Sequence, residues 1–550
     1  MSEHLKSEAP PQFIDEVQGL ENQSDLCYEP LELLQEPRNC ATWAVLVACV
    51  QRLEEIMPTK PPGTFGLQAA GMNLARSGCL LIDWIRQHGK GEDIPTSRFR
   101  WNDRLAGAVN LALDVARNYD AFRSCFPAWH KFRNLTDIVE PRKIRFTAAG
   151  GMNARRVSAF QKGLRPSPVS AAKPSPSLDI TPELAEKLNA TLQGAKPDGR
   201  FGFRYGEPSE LYKYVAKLYN PKINSAYRRL GNLSVGHYSL DELRKFHACL
   251  LGVCAIHEHL CFRWGRQSPN YPFDSAVLVK TRDRWIHLIQ EISDLGTQTI
   301  AAILSDLTLP ASEPFDLHVH PFVTLQRNSA ELGIAPHFLI SSNVEENMLR
   351  VCSWRDRGIH NVLSQSKEEE QRDDLKAACD GRYNVIGPRR LPGRLPNLDL
   401  ALEDRGSSTL AIIELKWLRE PMHFRERISH DEEIQDGLMQ LRKIEEFLRS
   451  RPLFLKDCGA SASLSDFANV HFLLVARDHF IWSDPAQNYP IIEHESFKDI
   501  LRRAPHLSCA VAEMLRFDWL PVENRDFIVR YEFAVANGVH IESEIFLAAA

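Results

Sequence analysis

Apolar residues recur at three- and four-residue spacing through "CATWAVLVACVQRLEEIM" (40–57), "GLQAAGMNLARSGCLLIDWIRQHG" (66–89) and "RLAGAVNLALDVARNYDAFRS" (104–124). That is the period of a helix with one packed face, so the first part of the chain reads as a helical module. The same period returns in "TPELAEKLNATLQG" (181–194), where Thr181-Pro182-Glu183 suits a helix start, and in "SLDELRKFHACLLGVCAIHEHLCFRW" and "RDRWIHLIQEISDLGTQTIAAILSDL". The rhythm then changes. Helical "SKEEEQRDDLKAACDG" precedes strand-like "RYNVIG", "LDLALED" and "TLAIIELKW", helical "DEEIQDGLMQLRKIEEFLRS" and apolar "NVHFLLVA". The order helix, three strands, helix, strand predicts a mixed α/β unit. In "RYEFAVANGVHIESEIF", Asn537-Gly538 between two alternating segments predicts a type I′ hairpin.

The pattern divides the chain into a helical domain over 1–162, a Pro/Ser-rich basic linker over 163–180, a second helical region over 181–330, and an α/β domain over 331–550 that includes the hairpin. At roughly 150 residues per domain, 550 residues suit two to four such units. From Pro141 to Leu178 the chain holds eight basic residues (Arg142, Lys143, Arg145, Arg155, Arg156, Lys162, Arg165, Lys173) and no acidic one. Phosphate contact is one reading of this run and a solvated basic linker is the other.

Composition changes the picture little. Lys and Arg (66) against Asp and Glu (71) leave −5, so a nucleic-acid surface has to be local. The opening "MSEHLKSEAPPQF" lacks a signal-peptide core and no apolar run approaches the ~18 residues of a membrane span, which predicts a cytoplasmic protein with no membrane partner. The twelve cysteines are scattered, as reduced thiols are. Cys254, His257 and Cys261 in "CAIHEHLC" share one helix face, and His318 and His320 in "DLHVH" share one strand face. Each pattern suits a packed core or half a zinc site, since a tetrahedral site needs a remote second pair that spacing does not identify.

Charged residues are depleted in strands, which singles out Asp399 in "LPNLDLALED" and Glu414 and Lys416 in "TLAIIELKW". Side chains alternate along a strand, so Glu414 and Lys416 share a face. The short turn "EDRGSS" makes the two strands an antiparallel pair, which brings Asp399 toward Glu414. Adjacent carboxylates repel unless a hard cation joins them, and oxygen ligands favour Mg²⁺, with Mn²⁺ as a substitute. A neighbouring lysine supplies positive charge beside a water or a phosphate.

These residues resemble the PD-(D/E)xK nuclease superfamily over roughly 365–480. The resemblance implies a sheet flanked by helices, metal bound by Asp399, Glu414 and the carbonyl of Leu415, catalysis by Asp399, Glu414 and Lys416, and support from Gln440 in "GLMQLRKI". It also implies a further acid from the preceding helix, for which Glu369 or Glu370 is the expectation. Pro396 stands three residues before Asp399 rather than beside it, and Glu403 shares the face of Asp399. Arg389, Arg390 and Arg394 in "IGPRRLPGR" are placed to hold phosphates, together with the basic run at Arg142, Lys143, Arg145, Arg155 and Arg156.

The expected function is metal-dependent hydrolysis of DNA, with RNA not excluded. The largely helical N-terminal regions would serve target recognition, homo-oligomerisation or control, as in restriction or anti-phage effectors. The alternative is a non-catalytic nucleic-acid-binding or scaffold protein on a degenerate nuclease fold.

Overall fold

The protein is seen in a computed structural model that describes residues 11–56, 65–132, 135–147, 155–156, 159, 181–198, 202–221, 223, 230–267, 273–310, 316–326, 330–340, 342, 344–355, 357–418, 424–477, 489–517 and 519–548. The 163–180 linker, with Lys162, Arg165 and Lys173, lies outside them. The chain is mixed α/β: long helices, a five-stranded sheet, a four-stranded sheet and smaller sheets. Among the described residues no helix is long and apolar enough to cross a membrane.

Among the described residues three apolar cores organise the fold. One is built largely from residues 184–363 around the Leu240–Gln267 helix. A second gathers the Arg38–Ile56, Phe65–His88 and Asp103–Phe132 helices, part of 276–338, and Ala534, Ala536, Val539 and Ile541. The third spans 375–520 and encloses the five-stranded sheet.

The hairpin forms as its Asn-Gly turn predicts: Asn537 and Gly538 take φ of 47° and 73°, joining Phe527–Ala536 to Val539–Ala548. Its location differs from the expected one. Val539–Ala548 runs parallel to Lys143–Thr147, so the hairpin completes a sheet with Leu135–Glu140 and packs on the N-terminal helices rather than on the 375–520 core. A boundary at 331 also differs from the fold, because Glu331–Ile334 is the central strand of a sheet whose other strands are Leu278–Thr281 and Phe322–Gln326. Local periodicity carries no information on which distant strand completes a sheet.

The basic run acquires intrachain partners through this sheet. Lys143 and Arg145 pair with buried Glu542 at 2.7 and 2.6 Å, and Arg155 pairs with Glu544 at 2.5 Å. Arg156 donates to the carbonyls of Phe517, Leu520 and Pro521. Arg142 occupies the preceding turn at φ 66°, where its carbonyl accepts from His540. These contacts tie residues 142–145, 155 and 156 to the chain's C-terminal part.

The cysteines all carry free thiols. Within "CAIHEHLC", both ring nitrogens of His257 are engaged, by the Tyr205 hydroxyl at 2.8 Å and the Ser275 carbonyl at 2.7 Å, and burial pushes the Cys254 thiol well up. This is a packed helix face. His318 and His320 lie in a turn closed on the Asp316 carbonyl rather than on a strand face, His318 meeting Phe338 edge-on and His320 stacking on Trp354.

Where the N-terminal helices meet the core built around the Leu240–Gln267 helix, Glu54, Glu258 and His337 line a shared cleft with Val50, His257, Cys261, Ala276 and Pro336. Burial, with Glu258 nearby, pushes the Glu54 carboxyl up from 4.5 to about 7. Burial opposes the His337 charge, yet its contacts with Glu258 and Glu54 raise it above its ordinary 6.5. Both folded values exceed the unfolded ones. The stability they contribute is complete below 4.5 for Glu54 and below 6.5 for His337, and is lost as pH rises through the folded values. The thermal midpoint is therefore expected to fall as pH is raised through about 7, and Glu54→Gln should flatten that dependence in a calorimetric pH series.

Candidate active site

The five-stranded sheet runs Asn384–Ile386, Leu400–Asp404, Thr409–Trp417, Asn469–Arg477, Ile491–Glu493. Its first three strands are antiparallel and its last two join in parallel. Thr409–Trp417 is central and buried on both faces, which accounts for its run of Leu, Ala and Ile. In the register Leu400 faces Ile413, so Asp399, one residue before its strand, stands opposite Glu414. Asp399 Oδ2 accepts from the Leu415 amide at 3.0 Å, and its carboxyl lies within hydrogen-bonding reach of that of Glu414.

Lys416 follows on the same face. Its Nζ donates to Glu414 Oε1 at 2.7 Å and to Gln440 Oε1 at 3.2 Å. Gln440 is carried by the Phe424–Ser450 helix, which buries Ile434, Leu441, Ile444 and Leu448 against the sheet. One turn before Gln440, Gly437 leaves room for the lysine. A Cβ there would lie 2.7 Å from Leu474 Cδ1 and 3.0 Å from Lys416 Cε. Gly437→Ala is expected to lower stability by about 1–2 kcal/mol in urea unfolding, because overpacking outweighs alanine's helix preference.

The Arg357–Cys379 helix contributes Glu368, not the expected Glu369 or Glu370. Glu369 is exposed, and Glu370 sits 3.4 Å from Lys367. Glu368 shares its helix face with Gln371 and Arg372, three and four residues on. Gln371 Nε2 donates to the Val475 carbonyl at 3.0 Å, and Arg372 Nε to the Asp399 carbonyl at 3.2 Å. Those two anchors hold the face that carries Glu368 against the strand ends, and its charge is felt by Glu414 and Lys416. The signal available in sequence was this i, i+3, i+4 set, which "SKEEEQRDDLK" contains but does not orient.

The electrostatics follow from crowding. Burial first, then Asp399, push the Glu414 carboxyl from 4.5 to about 8. Burial also raises Asp399, against the Leu415 amide and Lys416, and lifts Glu368 to about 7, where Lys416 counteracts Asp399. Burial opposes the Lys416 charge, but Glu414, Glu368 and Asp399 together raise it. Among the described residues no hydrogen-bond donor reaches the buried Glu414 Oε2, while the Glu414 carboxyl lies within reach of that of Asp399. Glu368 adds its charge to the surroundings of Asp399 and Glu414, but the three carboxyls do not all come within 4.8 Å of one another.

Other expected residues fall elsewhere. Glu403 is held by Asn384 at 2.6 Å and the Ser461 amide at 3.0 Å, away from Asp399. Arg389, Arg390 and Arg394 are exposed on the loop that leads into Asp399. Arg389 also donates to the Cys458 carbonyl at 3.2 Å. Comparison of this chain with protein-family models, with curated proteins and with solved structures returns no match.

Proposed function

We propose that this chain is a metal-dependent phosphodiesterase of the PD-(D/E)xK kind acting on DNA, with Asp399, Glu414, Lys416, Gln440 and Glu368 as its site. The observation that carries the reading is the facing pair of buried Asp399 and Glu414 carboxyls, crowded enough to push Glu414 up to about 8, with Lys416 donating to Glu414 at 2.7 Å. The sheet order around it, with a helix supplying an acid before and a helix supplying Gln440 after, supports it further.

The donors fit a hard divalent cation. Asp399 and Glu414 would hold Mg²⁺ or Mn²⁺, with the Leu415 carbonyl as the further oxygen implied by the resemblance. Such an ion, when bound, polarises a phosphoryl oxygen and acidifies water. The chain's own groups do the remaining work. Gln440 and Glu414 hold the Lys416 ammonium beside the carboxyls, where it would orient a water and offset charge growing on phosphorus. Leu415 fixes the Asp399 carboxyl through its amide, and Arg372 fixes the backbone that carries it. Arg390 and Arg394, exposed beside Asp399, are the arginines to grip a phosphodiester backbone.

Trp417, next to Lys416, is buried in the core formed by 184–363. The helical region therefore holds the end of the proposed catalytic strand, a route by which it could control cleavage.

The test is cleavage of supercoiled and linear DNA with Mg²⁺, Mn²⁺ or EDTA, comparing wild type with folded Glu414→Ala. Cutting that needs the metal and is lost in the variant is expected. Metal-independent cutting, or cutting unchanged by Glu414→Ala, would overturn the reading, as would a preference for RNA as regards the substrate.

A further inference from the structure

A second group of ligand-type side chains lies on the far turn of the helix that supplies Glu368. Asp374, His494 and Glu495 each present one donor atom, all within 4.8 Å of one another. Asp374 belongs to the Arg357–Cys379 helix, while His494 and Glu495 open the His494–Arg503 helix directly after Ile491–Glu493. The first turn of that second helix is fixed: Glu493 accepts from the Glu495 amide at 3.0 Å and the Ser496 amide at 2.8 Å. His494 Nε2 lies 3.5 Å from Asp374 Oδ2 and 3.9 Å from Glu495 Oε1.

The imidazole is the informative member. His494 is fully buried, and neither ring nitrogen has a hydrogen-bond partner among the described residues. A buried unsatisfied donor or acceptor costs about 1–3 kcal/mol. Burial, with Arg477 and Lys498 nearby, lowers its pKa to about 3, so it is neutral and has a lone pair to give. Asp374 and Glu495 are 44% and 36% exposed, so the group opens to solvent on their side. Ligands about 2.1 Å from a tetrahedral centre are separated by roughly 3.4 Å, close to the spacing of Nε2 from Asp374.

We infer that Asp374, His494 and Glu495 form a binding site for a transition-metal dication of the zinc class, separate from the Asp399–Glu414 site. An imidazole with two carboxylates suits Zn²⁺ and disfavours Mg²⁺. Six residues of helix, about 9 Å of axial rise, separate Asp374 from Glu368, too far for the ~4 Å spacing of a two-metal centre. The bound ion would instead join the helix that carries Glu368 to the edge of the sheet. It meets competition. Lys498 Nζ lies 2.9 Å from Glu495 and 3.7 Å from Asp374, and Arg477 lies 3.7 Å from Asp374. Zinc has to displace the lysine ammonium, so removing that ammonium should tighten binding.

The experiment is calorimetric titration of chelator-treated full-length protein with ZnCl₂, for wild type, Asp374→Asn, His494→Gln, Lys498→Met and Glu414→Gln. The expected result is one zinc per chain in wild type, weakened at least ~10-fold in the first two variants, tightened in Lys498→Met and retained in Glu414→Gln. Asp374→Asn changes a half-exposed oxygen, and its zinc-free circular dichroism should match wild type, which separates loss of a ligand from loss of fold. No stoichiometric zinc in wild type overturns the inference. So does zinc that survives both Asp374→Asn and His494→Gln, or zinc that leaves only in Glu414→Gln, which would assign it to the other site. None of these outcomes depends on DNA cleavage.

Discussion

Lys416→Met is expected to reduce metal-dependent DNA cleavage by about 10²–10³-fold in single-turnover assays, with a smaller change in DNA affinity. Lys416 donates directly to Glu414, and Gln440 holds it from the other side, so its loss removes positive charge where phosphorus would gain negative charge. Methionine keeps the stem that packs beside Gly437 and Leu474, so the change is chiefly electrostatic. Glu368→Gln should cost less, on the order of 10-fold, because it removes a charge from the surroundings of Asp399 and Glu414 and keeps the side chain's shape. A Lys416→Met protein that cleaves within about twofold of wild type would take Lys416 out of the proposed chemistry. A Glu368→Gln protein with unchanged metal dependence would leave Asp399 and Glu414 as the acids that matter.

Ile541→Ala is expected to destabilise the N-terminal core by about 2–5 kcal/mol. Ile541 is 1% exposed, lies opposite Ile144 in the parallel strand pair, and belongs to the core of the N-terminal helices. Hydrogen exchange read by mass spectrometry should show faster exchange in Arg38–Ile56 and Asp103–Phe132 and little change in Thr409–Trp417. Phe533→Ala is the control, since Phe533 is 63% exposed on the outer face of the hairpin and its loss should leave exchange unaltered. Faster exchange confined to the five-stranded sheet would assign the hairpin to the 375–520 unit instead.

Much of the local structure was legible in the sequence. The helical period found the long helices, the alternation in "TLAIIELKW" put Glu414 and Lys416 on one face, the turn "EDRGSS" gave the antiparallel pair, and Asn537-Gly538 gave the hairpin. Gln440 was legible because its helix has a clear apolar stripe that leaves it at the edge. Less was legible wherever one feature had several equivalent readings. Three consecutive glutamates at 368–370 are equal in sequence, and only the anchoring of Gln371 and Arg372 selects Glu368. The basic residues at 143, 145 and 155 read as free charge until Glu542 and Glu544 arrive from the chain's other end.

What the sequence determined by itself is the identity and facing of the long helices, of the strands around Asp399 and Glu414, and of the hairpin, because strand alternation, helix period and turn stereochemistry depend on residues within a few positions of one another; the strands inside 1–162 and 181–330, read as helical, were not among them. What only the tertiary structure decided is partnership: that the hairpin completes an N-terminal sheet, that Asp399 and Glu414 lie within reach of each other, and that Asp374 meets His494. Those contacts join residues up to about 400 positions apart in the chain. Their energies come from burial and charge at close range, which depend on where the chain folds and not on how it is spaced in sequence.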